Sequence, residues 1–196
     1  MSMRILAGEF KGRVLLSPPK GVETRPITGA TKKSLFDTLA DRLVDATVLD
    51  LYCGTGTIGL EALSRGAGHC CFADRDRRVL ERLRRNMETL RAGDQCTVWR
   101  GDVPGRLAAW LKALGRCVDV AFVDPPYAQA RQWDWEQIGR RLFTPLAAHM
   151  ADDGMVVLRT PPKLKVPETL ADLHIGRVRA YGSTALHFLE PTTTRE

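Results

Sequence analysis

A chain of 196 residues suits one domain with a core of its own, and 44% hydrophobic with 27% charged residues are ordinary globular values. A formal net charge of +6 and a pI near 9.3 favour a polyanionic partner, without fixing affinity or sequence preference. The five cysteines hold no Cys-x-x-Cys pair, the four histidines lack ligand spacing, and no apolar run reaches membrane-spanning length; these features predict a cytoplasmic protein without disulfides, metal or membrane.

Met3 to Phe10 and Gly12 to Ser17 read as a hairpin, made basic by Arg4, Lys11 and Arg13 and ended by Pro18-Pro19-Lys20-Gly21. Residues 1–23 are therefore expected as an appendage able to grip phosphates, residues 24–190 as the main domain and 191–196 as a frayed tail. Thr24-Arg25-Pro26-Ile27-Thr28 leads into a helix with Leu35, Phe36, Leu39 and Leu43 on one face, Thr28 or Thr31 as its cap, and Lys32 and Lys33 on its surface. Strand-like runs at 47–51, 69–73, 96–99, 118–123 and 154–159 then alternate with helical ones near 57–65, 76–91, 104–114 and 134–150. That alternation predicts a parallel sheet covered on both faces. Runs 174–181 and 185–190 flank Gly182-Ser183-Thr184, too short for a crossover, so they must pair antiparallel.

The stretch from Val48 to Gly59 organises the rest. An apolar run ending at Asp50-Leu51-Tyr52-Cys53, then Gly54-Thr55-Gly56 and a helical pattern, reads as a strand, a tight turn and a helix, where a ligand can lie against bare backbone. Gly54 to Gly59 also fits the dinucleotide pattern, with Asp74 about 20 residues on, where a ribose-binding acid belongs. Asp50 decides between ligands: at the strand end it repels a pyrophosphate and attracts a positive centre, as in S-adenosylmethionine. Asp50, Asp74 and Asp102 end three successive strands and so line one crevice. They suit the cationic methionine end, the ribose hydroxyls and the adenine amine respectively, with the Val103 amide beside the last. Tyr52, Thr55 and Arg75 complete the expected cofactor set, and Asp76 is read as the cap of an arginine-rich helix. That helix is read as a solvated basic face, with a phosphate track as the alternative.

A second centre is Asp124-Pro125-Pro126-Tyr127, at the end of the run from Val118. The prolines stop the ladder and leave the Pro125 carbonyl available beside the Asp124 carboxylate. Two acceptors drawing the hydrogens of a planar exocyclic amine aim its lone pair at a methyl group, and Tyr127 offers a ring to an unstacked base. Arg131, Trp133 and Trp135 follow on a loop that either clamps RNA or packs its tryptophans under the next helix. In-line transfer needs no covalent intermediate, so Cys53 is assigned no nucleophilic role.

Asp-Pro-Pro-Tyr is similar to the signature of amino-group methyltransferases acting on DNA adenine or RNA guanine. Added to it are Arg4-Ile5-Leu6-Ala7-Gly8, Lys11-Gly12-Arg13, Arg25-Pro26-Ile27-Thr28 and Gly59-Leu60-Glu61-Ala62-Leu63-Ser64-Arg65-Gly66-Ala67. With these the chain resembles, over nearly its whole length, the RsmD family of bacterial 16S rRNA guanine-N2 methyltransferases. It differs from the usual pattern at Ile27, Gly29 and Ala30, and has Asp74 where Glu is usual. The resemblance implies a class I, Rossmann-like α/β fold: a mostly parallel sheet, a C-terminal antiparallel hairpin and an N-terminal β-hairpin. It further implies S-adenosylmethionine as cofactor, a guanine of 16S rRNA in the 30S subunit or an assembly intermediate as substrate, and a monomer. Arg4, Lys11, Arg13, Arg25, Lys32, Lys33 and Arg131 are the expected RNA contacts. The alternatives are a DNA adenine-N6 methyltransferase, which generally carries a further recognition domain, and a non-enzymatic RNA-binding or assembly factor with this fold.

Overall fold

In a computed structural model that describes residues 3–22 and 26–192, the two N-terminal runs pair antiparallel as β1 (Met3–Arg4) and β2 (Val14–Leu15). Then follow α1 (Gly29–Thr38), β3 (Thr47–Leu51), α2 (Gly59–Ser64), β4 (His69–Asp74), α3 (Arg77–Leu90), β5 (Cys96–Arg100) and α4 (Val103–Leu114). The chain continues with β6 (Val118–Val123), the short helices α5 (Tyr127–Ala130), α6 (Trp135–Ile138) and α7 (Thr144–Ala147), and β7 (Met150–Thr160). It closes with β8 (Thr169–Leu170), β9 (Leu173–Tyr181) and β10 (Thr184–Pro191). The strands from β3 on form one sheet in the order β5-β4-β3-β6-β7-β10-β9-β8. β3 to β7 are parallel, and β10 runs antiparallel between β7 and β9, as the short Gly182-Ser183 connection requires.

Both faces of the sheet are covered, which is why its strands read as continuous apolar runs. Val48, Val120, Phe122 and Val157 pack towards α1, α2 and α3, whereas Leu49, Leu51, Ala121 and Leu158 pack towards α4 and the α6–α7 segment. The expected helix over 134–150 is interrupted: α6 passes into a wide π turn, Gly139–Phe143, before α7. Pro145 lacks the N–H that a regular turn needs there. The strand expected at 154–159 instead begins at Met150, and a bulge between Val118 and Val120 absorbs the extra residues. Pro191 still pairs with Leu173 and the Thr192 amide bonds the Asp172 carbonyl, so the tail is held further than expected; residues 193–196 lie outside the described ones.

The N-terminal segment, expected as an appendage, shares the main core. Ile5, Phe10 and Leu15 are buried in the cluster that contains Phe36, Leu60 and Leu83. Its backbone is tied to α2, with the Glu9 amide on the Ser64 carbonyl at 2.7 Å and the Phe10 amide on Ser64 Oγ at 2.9 Å. A Cβ on Gly8 would fall 1.6 Å from the Ser64 oxygen, so only glycine allows this approach. Glu61, fully buried, accepts four bonds: Leu6 N and Lys32 Nζ on Oε2, both 2.8 Å, and Ala7 N and Arg65 Nε on Oε1, both 3.0 Å.

Lys32, expected on the surface as an RNA contact, is therefore corrected. It is 4% exposed, because the hairpin covers that turn of α1, and its ammonium is spent on Glu61 and the Arg4 carbonyl. Thr28 is the α1 cap, its Oγ1 accepting from the Thr31 amide.

Candidate functional site

Parallel strands β4, β3 and β6 and strand β7 bring their C-terminal ends to one edge of the sheet, and the loops leaving those ends build the site. The glycine turn leaves β3 with Tyr52 at φ +62° and Gly54 and Gly56 at φ +55° and +81°. Gly56 faces inward, where a Cβ would meet Leu83 Cδ1 at 2.4 Å. Gly54 faces outward, where a Cβ would meet no protein atom within 4 Å. Gly56 permits packing on α3, and Gly54 leaves room over the backbone.

The three strand-end acids differ in what they do. Asp50 is 1% exposed and accepts from the Gly59 amide on Oδ2 at 2.8 Å, so it shapes the turn and the start of α2 rather than opening onto the crevice. Burial pushes its carboxyl well up, and nearby Asp124 and Asp74 push the same way. Asp74 is half-buried and accepts from Gly54 N on Oδ2 and Asp76 N on Oδ1, both at 2.9 Å; one bond to each oxygen leaves further lone pairs for a ligand. Asp102 is exposed and caps α4, accepting from Gly105 N at 3.1 Å, with Val103 buried as the first helical residue. Thr55 turns its side chain to Met3 Sδ and away from the crevice, leaving only its backbone there. Arg75 is exposed, and Asp76 caps the arginine-rich α3 as expected.

The Tyr52 hydroxyl is buried with no hydrogen-bond partner among the described residues; Gln129 faces it outside bonding geometry. Burial pushes this phenol up, keeping it a neutral donor. An unpartnered hydroxyl, open space above Gly54 and carboxylates at 74 and 102 fit a ligand that carries hydroxyls and amines. Burial also pushes the Cys53 thiol well up, which leaves it no reactive thiolate.

Asp124 lies one residue past the Leu51–Val123 pair, and its amide bonds the Leu51 carbonyl at 3.2 Å. The Asp124–Tyr127 segment and the glycine turn thus leave neighbouring strands side by side. Asp124 Oδ1 accepts from Arg159 Nε at 2.6 Å, both side chains largely buried at 16% and 8% exposure. Burial pushes the Asp124 carboxyl up and the Arg159 guanidinium opposes it.

Tyr127, expected as an open stacking ring, is 9% exposed. Its hydroxyl bonds Thr184 Oγ1 and the Arg159 guanidinium stands 5.7 Å over its ring. It lines a cavity of about 440 Å³ with Arg131, Pro161, Pro162, Lys163 and Ser183. Trp133 and Trp135 pack edge to face with each other and against the α4 side of the core, so they brace the loop instead of clamping a ligand.

Arg4, Lys11, Arg13 and Lys33 are exposed; Arg4 Nη1 also bonds the Gly12 carbonyl at 2.8 Å, and Lys33 pairs with Asp37. Arg25 lies outside the described residues.

Three residues at the site carried no role in the sequence reading: Arg159, Glu61 and Asn86. Asn86 is 2% exposed and joins Leu16 N to the Thr55 carbonyl, so α3 holds the hairpin to the glycine turn. The available signals were a cation closing an apolar strand run (Arg159), an acid within a helix that packs on all sides (Glu61), and an amide on the stripe of Leu83, Met87 and Leu90 (Asn86). Among the described residues, no group of His, Cys, Asp or Glu is placed to hold a metal, and no helix is long and apolar enough to cross a membrane.

Residues 3–190 match the family model described as Conserved hypothetical protein 95. The chain is 37% identical to the Escherichia coli K12 protein named Ribosomal RNA small subunit methyltransferase D, over 93% of this chain and 87% of that one. It is 34% identical to Bacillus subtilis YlbH over 94% and 96% of the two chains. The solved structure of yhhF from Escherichia coli superposes with a TM-score of 0.78 at 30% identity, covering 97% and 98% of the two chains.

Proposed function

The chain belongs to the RsmD family of rRNA methyltransferases, with its class I, Rossmann-like fold, and from that membership and the site geometry we propose a guanine-N2 methyltransferase of 16S rRNA. Its chemistry is S-adenosylmethionine-dependent rRNA methylation. The finer reading is that the protein works as a cytoplasmic monomer on the 30S subunit or an assembly intermediate, transferring methyl to the 2-amino group of one guanine. The observation that carries it is the adjacency of two loops: the Asp124 amide bonds Leu51 at the root of the Gly54 turn.

S-adenosylmethionine, when bound, supplies an electrophilic methyl group. The Gly54 and Thr55 backbone, the Tyr52 hydroxyl, Asp74 and Asp102 are the residues that would hold it, with Arg75 and Val103 beside them. Asp50 works from beneath, fixing the turn through Gly59. Asp124 accepts from the guanine amine and, with the Pro125 carbonyl, orients the nitrogen lone pair, so most of the gain is positioning. The base must leave its stack to reach this edge, and the cavity beside Tyr127 and Arg131 is the space available to it.

The test is incorporation of labelled methyl into purified small-subunit particles, free 16S rRNA and duplex DNA, followed by nucleoside analysis. N2-methylguanosine from rRNA supports the reading; N6-methyladenine from DNA would replace it with the DNA enzyme, and no transfer with no cofactor binding would favour an assembly factor.

The exposed hairpin charges are assigned to phosphates. A Lys11→Glu, Arg13→Glu double variant should raise KM for the particle, reduce the slope of log affinity against log salt by about 2, and leave cofactor binding unchanged. An unchanged salt slope would remove the hairpin from the RNA interface.

A further inference from the structure

Strand β7 ends Met155-Val156-Val157-Leu158-Arg159-Thr160, and its alternation puts Arg159 on the side of Met155 and Val157, which are buried beneath α1 and α2. An arginine is costly in such a place unless it is paired. The register supplies the partner: Val123 and Leu158 are opposed on parallel neighbours, so the next residue on each strand, Asp124 and Arg159, leave the sheet side by side. Their contact is 2.6 Å with both side chains largely buried.

A buried ion pair is seldom more stabilising than apolar residues of similar volume, so stability is a poor account of why one stands here. Its place is a better one. The acid is the residue read as acceptor for the amine: its Oδ1 is held by Arg159 Nε, and among the described residues no hydrogen bond to Oδ2 is seen. The same guanidinium stands over the Tyr127 ring, whose hydroxyl is fixed by Thr184. One cation therefore braces both ends of the Asp124–Tyr127 motif.

We propose that Arg159 is a positioning residue of the methyl transfer, clamping Asp124 by Oδ1 so that Oδ2 is the oxygen offered to the acceptor amine. This rests on the reading of Asp124 as the amine's acceptor. The clamp has an electrostatic side. The groups facing Asp124 are Asp50 on β3, with Asp74 beyond it on β4, Tyr127 on α5 and Arg159 on β7. Burial favours the protonated form of Asp124, and the Arg159 guanidinium, through its charge and its hydrogen bond, opposes it. Removing it moves Asp124 towards the protonated form, which no longer offers an unencumbered acceptor. The activity lost at low pH is then lost at higher pH.

The experiment is single-turnover methyl transfer to small-subunit particles as a function of pH, with cofactor affinity and Tm measured on the same preparations. Arg159→Met should lower the maximal rate about 100-fold, with cofactor Kd within about twofold, and move the acid limb up by about one pH unit or more. Arg159→Lys keeps the charge without the fork, so its limb should stay near the wild-type position while the rate falls by about tenfold. An Arg159→Met protein with wild-type rate and limb overturns the clamp, as does a lower rate with an unmoved limb, which marks a purely structural role. If Arg159→Met does not fold, Arg159→Lys decides alone: full wild-type rate overturns the clamp and a selective loss of rate supports it. Active wild-type enzyme together with transfer retained in Asp124→Ala overturns the acceptor reading itself, whereas loss in Asp124→Ala with no effect at Arg159 overturns the clamp only.

Discussion

Asp124→Ala should reduce methyl transfer by at least about 10²–10³-fold, the scale of removing one preorganised hydrogen-bonding group from a reacting centre. Cofactor affinity should change by less than about threefold, or roughly 0.7 kcal/mol. The expectation comes from the placement of Asp124. It lies just past the end of β6, next to β3 rather than on it, and its side chain contacts Arg159 while the glycine turn is organised by Asp50 and Asp74. Isothermal titration with S-adenosylmethionine and single-turnover transfer separate the two quantities. Parallel loss of both would move Asp124 into the cofactor set. In the wild type, burial sets the Asp124 carboxyl above its ordinary range, and the ionised form is the competent one. Activity should therefore rise with pH through that raised value and fall below it.

Glu61→Ala should cost about 3–5 kcal/mol of folding stability, because it leaves Lys32 buried without its counter-charge and four donors without an acceptor. For a chain of this size that is a Tm fall of roughly 6–20 °C. The comparison is Glu81→Ala, which breaks an exposed pair with Arg77 at 53% and 73% exposure and should cost under about 1 kcal/mol. Equal Tm values for the two variants would show that Glu61 is not the anchor of the hairpin. Because the hairpin also meets the glycine turn through Asn86, Glu61→Ala should loosen both the hairpin and that turn, read as faster amide exchange at Leu6, Ala7, Leu16 and Gly56.

Local pattern was sufficient wherever one segment carried its own answer. The apolar runs of β3, β4 and β6 fixed a covered parallel sheet, since only strands buried on both faces are apolar throughout. Gly182-Ser183 forced an antiparallel end, since so short a link cannot cross the sheet. Asp124 and Gly54 were found because their motifs are contiguous, and strand ends of a parallel sheet share one edge. Lys32 was misplaced for the opposite reason. Its neighbours in sequence are polar, and what buries it is a hairpin and a glutamate from two other segments. Asp50 kept its site but changed its work: the turn it was expected to serve folds back over it and spends one oxygen on Gly59.

The sequence by itself determined the order of elements, the glycine turn after β3 and the Asp-Pro-Pro-Tyr end of β6, because each is a short-range pattern of sterics and hydrophobic period. Only the tertiary structure decided which charges are spent and which are offered. Arg159 and Asp124 are 35 residues apart and become partners through strand register alone. No property of either residue's own neighbourhood encodes that register, which is set by packing the whole sheet.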